Sequence, residues 1–115
     1  MKNLPYKIID KAYISSSNEL AWKIDDLENA IDCIINEGYE IDGIDIGIIT
    51  NDGGYTEPPI GYSLDFSKTN LEDYRTRVKK EIFDWIKHSN DFLRKNEFYN
   101  NLLANKKELY YLLTF

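Results

Sequence analysis

The sequence predicts an α+β domain: a small antiparallel sheet, made of a hairpin plus a C-terminal strand, with helices packed on one face. Three observations carry this. Two apolar stripes recur at helical spacing behind capping boxes, apolar residues alternate on both sides of Asn51-Asp52-Gly53-Gly54, and residues 109–115 are β-prone and nearly uncharged. A chain of 115 residues, 43% hydrophobic and 14% aromatic, fits one globular domain over 1–115 and not a disordered acidic tail.

Residues 4–14 read as a short helix or an extended arm, and Ser15-Ser16-Ser17-Asn18 as a loop. Asp25 and Glu28 have capping-box spacing, Leu27, Ile31, Ile34 and Ile35 share one helical face, and Gly38 stands where a helix ends in a left-handed residue. The period then changes to two. Tyr39 and Ile41 alternate in one phase and Ile44, Ile46 and Ile48 in the other, so a bulge at Gly43 would join two halves of one strand. After the Asn-Asp-Gly-Gly turn, Ile60, Tyr62, Leu64 and Phe66 form the return strand, delayed by Pro58-Pro59 because proline gives the ladder no donor. Thr69 and Glu72 form a second capping box before a stripe of Leu71, Tyr74, Val78, Ile82, Trp85 and Ile86. That helix is expected to stop and restart near Ser89-Asn90, with residues 92–104 a further helix or irregular, before the terminal strand joins the hairpin.

Charge is distributed in blocks. Residues 24–67 hold eleven acids and no Lys or Arg, whereas residues 1–23 are net +2 and residues 68–115 net +3, giving −6 for the chain. Such a block repels nucleic acid and anionic lipid and attracts a cationic protein surface. Neither a signal peptide nor a membrane span is legible, and the single Cys33 fits a reducing cytoplasm, excluding an internal disulfide. With His88 as the one histidine, most zinc and nucleophile–histidine schemes lack a part. No cofactor, metal or catalytic residue is expected.

The residues expected to form a docking surface are Asp42, Asp45, Asp52, Tyr55, Glu57 and Asp65. Asp45 and Asp65 share the face opposite the isoleucines. There they either form a metal or acid–base pair, meet a partner, or are simply solvated. Gly47, Gly61 and Ser63 interleave with these acids and leave room either for a partner's Lys or Arg or for another part of this fold. Tyr55 and Glu57 flank the turn as interface candidates, although a tyrosine there also suits covering the turn. Trp22 and Trp85 are expected in the core, Cys33 as a small buried residue, and His88 at a helix terminus.

Further motifs resemble the immunity protein 40 family of bacterial polymorphic toxin systems over residues 20–88. They are Ala21-Trp22, the acidic run Asp25-Asp26-Leu27-Glu28-Asn29-Ala30-Ile31-Asp32, Gly38-Tyr39-Glu40-Ile41-Asp42-Gly43-Ile44-Asp45-Ile46, Glu57-Pro58 and Leu71-Glu72-Asp73-Tyr74. The chain departs from that pattern at Gly43-Ile44, where the family has Gly-Gly, and at Ile60-Gly61-Tyr62-Ser63, which replaces a Tyr-Asp-Asn-Trp segment. The resemblance implies a cytoplasmic non-enzyme that binds and neutralises a cognate toxin domain, as a monomer or weak homodimer, without nucleic acid or membrane. Two other classes compete with it: a small metal-dependent hydrolase using Asp45 and Asp65, and a self-associating module pairing through an edge strand at residues 109–115.

Overall fold

The computed structural model describes residues 4–15, 17–49, 54–66, 70–104 and 108–115. In chain order the elements are α1 (Tyr6–Asp10), β1 (Tyr13–Ile14), β2 (Leu20–Trp22), α2 (Ile24–Asn36), β3 (Gly43–Ile49), β4 (Tyr55–Thr56), β5 (Gly61–Ser63), α3 (Leu71–Lys95), α4 (Glu97–Ala104) and β6 (Glu108–Thr114). The class is α+β, as the sequence predicts, but the antiparallel sheet is larger than three strands. Its order is β1-β2-β6-β3-β4, with β5 also paired to β3.

Helix α2 begins one residue before Asp25, so Asp25 is not its cap. Lys23 holds the N-cap position without a side-chain hydrogen bond, and Asp25 and Asp26 lie in the first turn, where carboxylates complement the positive helix end. The helix stops as expected. Gly38 takes φ +90°, its N–H bonds the Ile35 carbonyl and the Tyr39 N–H bonds that of Ile34. No strand or bulge occupies residues 39–42, because the Ile41 amide donates to the Tyr74 hydroxyl of α3 at 2.9 Å and is diverted from the ladder. β3 then pairs regularly from Gly43.

The return strand is split rather than delayed. Tyr55 and Thr56 already pair with Ile49 and Ile48, and pairing resumes with Gly61 opposite Asp45. Residues 57–60 thus face only Ile46 and Gly47, and Pro58-Pro59 accounts for the interruption. The turn residues 51–53 lie outside the described residues, as does Thr69. The observed cap of α3 is Asn70, whose side chain accepts from the Glu72 and Asp73 amides.

Helix α3 runs unbroken past Ser89-Asn90. The Ser89 hydroxyl donates to the Trp85 carbonyl at 2.7 Å and so costs the helix no free polar group. The break comes at Asn96, followed by α4. At ~1.5 Å per residue this 25-residue helix spans about 37 Å, which explains most of the 42 Å long axis of the molecule.

The terminal strand β6 lies between β2 and β3, in register from Gly43↔Thr114 to Ile49↔Glu108. It is interior, so it offers no free edge for self-association. Strands β1 and β2 were not anticipated from the sequence; β2 pairs Ala21 and Trp22 with Leu112 and Tyr111. The main core lies on one face of the sheet, where Ile44, Ile46, Tyr111 and Leu113 meet Leu27, Ile31, Ile34, Val78 and Ile82. Each such buried aliphatic side chain contributes about 1.5–3 kcal/mol. Trp22 is fully buried there, its Nε1–H donating to the Ile8 carbonyl at 2.9 Å. Trp85 is only partly buried and stacks on Tyr62 at the margin of the core, and Cys33 is half-buried.

Candidate functional site: the second face of the sheet

Strand alternation puts Asp45, Gly47 and Ile49 of β3 on the face away from the helices, together with Tyr110 and Leu112 of β6, Ala21 of β2, Tyr13 of β1 and Tyr55 of β4. Among the described residues no helix covers this face, yet Ala21 and Leu112 are only 0% and 4% exposed. The cover comes from three tyrosines. Tyr55 lies across Gly47, where an added Cβ would collide with its ring, and Tyr13 contacts both Tyr55 and Tyr110.

The Tyr13–Tyr55 contact fixes the shape of the site. Their strands are the two ends of a five-strand order, ~19 Å apart in a flat sheet. Their rings nevertheless stack with centroids 5.5 Å apart and planes 2° from parallel. The sheet therefore curls about this face, and residues from both edges converge.

Carboxylates converge there as well. The Asp45 carboxylate lies over Gly61, whose missing side chain makes the space for it. The room left by Gly47 and Gly61 is thus filled by this chain's own Tyr55 and Asp45, not left open. Burial pushes the Asp45 carboxyl above the usual carboxylate range. Glu57 is raised too, first by burial and then by the charges of Asp45 and Glu19. Burial, followed by Glu57, Glu19 and Asp45, pushes the Tyr55 hydroxyl up to about 12, so at neutral pH it keeps its proton. The Tyr55 hydroxyl oxygen is buried and has no hydrogen-bond partner among the described residues.

Positive charge is what this cluster lacks. Among the described residues, no ion pair reaches Glu19, Asp45 or Glu57. The acids of α2 are arranged differently. Asp32 is held by Arg75 at 3.2 Å and Lys79 at 2.8 Å, Glu28 by Lys79 at 3.3 Å, and Asp26 by Lys11 at 3.5 Å. The acidic block of the sequence is therefore divided: its helical part is partly neutralised by the flanking segments, and its strand part is not.

Of the six residues expected at a docking surface, the structure brings together Asp45, Tyr55 and Glu57. Asp42 lies beyond the end of β3, exposed, with its backbone bonded to Thr114 and Leu64. Asp65 is exposed and four residues beyond Gly61, the partner of Asp45, which is ~13 Å along a strand. Asp45 and Asp65 are thus not placed as a catalytic or metal-binding pair, and the described residues contain no group of three His, Cys, Asp or Glu side chains that could hold a metal ion. Asp52 lies outside the described residues.

Glu19, Tyr13 and Tyr110 belong to the site and were missed. Glu19 falls before Lys23, outside the uninterrupted acidic run, and the buried triplet Leu20-Ala21-Trp22 shows no alternation that would mark a strand. Nine tyrosines in the chain were a signal, but nothing local says that three share one face. No protein-family model, curated protein or solved structure matches this chain.

Proposed function

We propose that the chain is an immunity-type protein, which binds a cognate toxin domain of a bacterial polymorphic toxin system and neutralises it in the cytoplasm by docking, without catalysing a reaction. The observation that carries this reading is the trio Glu19, Asp45 and Glu57, which no ion pair reaches among the described residues, on a curled sheet face. Such a face attracts a cationic domain, the charge expected of a toxin that must itself engage phosphates. The motif resemblance over residues 20–88 supports the same role.

The test is co-production with the toxin domain encoded by the adjacent gene. The expected result is restored growth and a purified complex. Reversing Asp45 and Glu57 together to Lys should slow association at least tenfold at low ionic strength and far less in high salt. Absence of a complex with that toxin domain removes the reading.

A further inference from the structure

We infer that the outer edge of β5 pairs with the same edge of a second copy of this chain, antiparallel about a two-fold axis, giving a weak homodimer with one continuous sheet. The pairing does not depend on the proposed immunity role. β5 is bonded to β3 on one side and, among the described residues, no strand lies on the other. The ladder fixes where its backbone groups point. Leu64 donates its N–H to the Asp42 carbonyl at 2.8 Å, and hydrogen-bonded pairs alternate along an antiparallel ladder, so Tyr62 directs its N–H and C=O toward Ile44. Gly61 and Ser63 therefore turn theirs outward, and all three residues of β5 are exposed. Proline or charge commonly blunts such an edge. Pro58-Pro59 does so for the preceding stretch, but Gly61-Tyr62-Ser63 contains neither.

A second copy suits this edge in backbone and in charge. With Tyr62 opposite its own counterpart, Gly61 of each copy faces Ser63 of the other, and every outward N–H meets an outward carbonyl. Tyr62 touches α3 at Glu81, to which its hydroxyl donates at 2.7 Å, and at Trp85, on which its ring stacks. An axis through Tyr62 thus sets the two α3 helices antiparallel on one side of the joined sheet, each presenting the flank turned away from α2. On that flank, helical spacing places Asp73 and Arg77 before the axis and Asp91 and Lys95 beyond it, all of them exposed. Read outward from the axis, one half runs positive then negative and the other negative then positive. Arg77 of each copy therefore comes opposite Asp91 of the other, and Asp73 opposite Lys95. The Arg77 guanidinium is already held on this side, 4.4 Å over the Phe66 ring, and Asp84, nearest the axis, is paired with Lys80 of its own helix. Two short strands bury little area and each copy carries a net −6, so the association is weak.

The test is sedimentation velocity of the intact chain from micromolar to millimolar concentration, with amide NMR shifts followed over the same range. The expected result is a reversible monomer–dimer equilibrium in which the Gly61 and Ser63 amides shift most and the Tyr62 amide, already bonded to Ile44, shifts least. Ser63→Pro removes an outward donor and spares the β3 ladder, so it should weaken the dimer roughly tenfold or more and leave the melting temperature within a few degrees. Arg77→Glu should weaken it roughly threefold, and adding Asp91→Arg should restore it. A chain still monomeric at millimolar concentration overturns the dimer, as does a dimer that tolerates both Ser63→Pro and Arg77→Glu. Should Ser63→Pro fail to fold, the charge exchange and the amide pattern decide the matter. If the Gly61 and Ser63 amides move only on addition of the adjacent toxin domain, the edge serves a foreign strand and the homodimer falls.

Discussion

Single atoms decide most at Tyr55. Its ring is needed over Gly47 and against Tyr13, while its hydroxyl is a buried group without a partner among the described residues. Tyr55→Phe should therefore raise the unfolding free energy by about 1 kcal/mol, read by urea titration. Gly47→Ala should act oppositely, because the Cβ must displace that ring. A loss of about 1–3 kcal/mol is expected in the same titration. The raised Asp45 and Glu57 carboxyls give a pH signature whose sign follows from proton uptake. The native state binds more protons than the unfolded state between the ordinary carboxylate range and the raised values, so stability falls as pH rises through that window. Asp45→Asn should stabilise the protein at pH 7, and the difference should close below about pH 4, where both states are protonated. Binding of a cationic partner should move the other way, weakening as the same groups gain protons on acidification.

At the scale of elements, the clip between α2 and α3 is the clearest polar determinant of packing. Asp32 takes both Arg75 and Lys79, and all three side chains are less than a third exposed. Asp32→Ala leaves two cations sharing one partly desolvated space and should cost about 1–2 kcal/mol by thermal or chemical denaturation, between the exposed and buried limits for ion pairs. Helices α2 and α3 and the β3 core face were legible because their apolar periods extend over many residues, with Gly38 marking the end of α2. Strands β1, β2 and β4, at two or three residues each, were not, because so short a run carries no period, whereas β5 falls within the return strand expected from Ile60 to Phe66. Their place comes from long-range pairing. The same reason hid half the candidate site, since Tyr13 and Glu19 reach it only when β2 pairs with a strand 90 residues later in the chain.

For the whole molecule, net charge was legible and its partition was not. The block of eleven acids says nothing of which will meet Lys11, Arg75 and Lys79, and those three basic residues partly neutralise the helical portion. It follows that Glu28→Gln should lower stability slightly and leave the partner's association rate nearly untouched, whereas Glu57→Gln should slow association and, by removing a charge disfavoured in the folded state, raise stability at pH 7. Stopped-flow mixing at low salt separates them. With β6 interior, sedimentation at rising concentration should show no dimer made through that strand. Its central position also sets a schedule for biosynthesis. Strand β2 emerges from the ribosome early, and the neighbour it needs, β6, begins only at Glu108. At ~5–20 residues per second the gap lasts roughly 4–17 s. Once β3 has followed, and until β6 arrives, the nascent polypeptide carries two unzipped backbone edges flanking a vacant slot, an opening for a chaperone and a hazard without one.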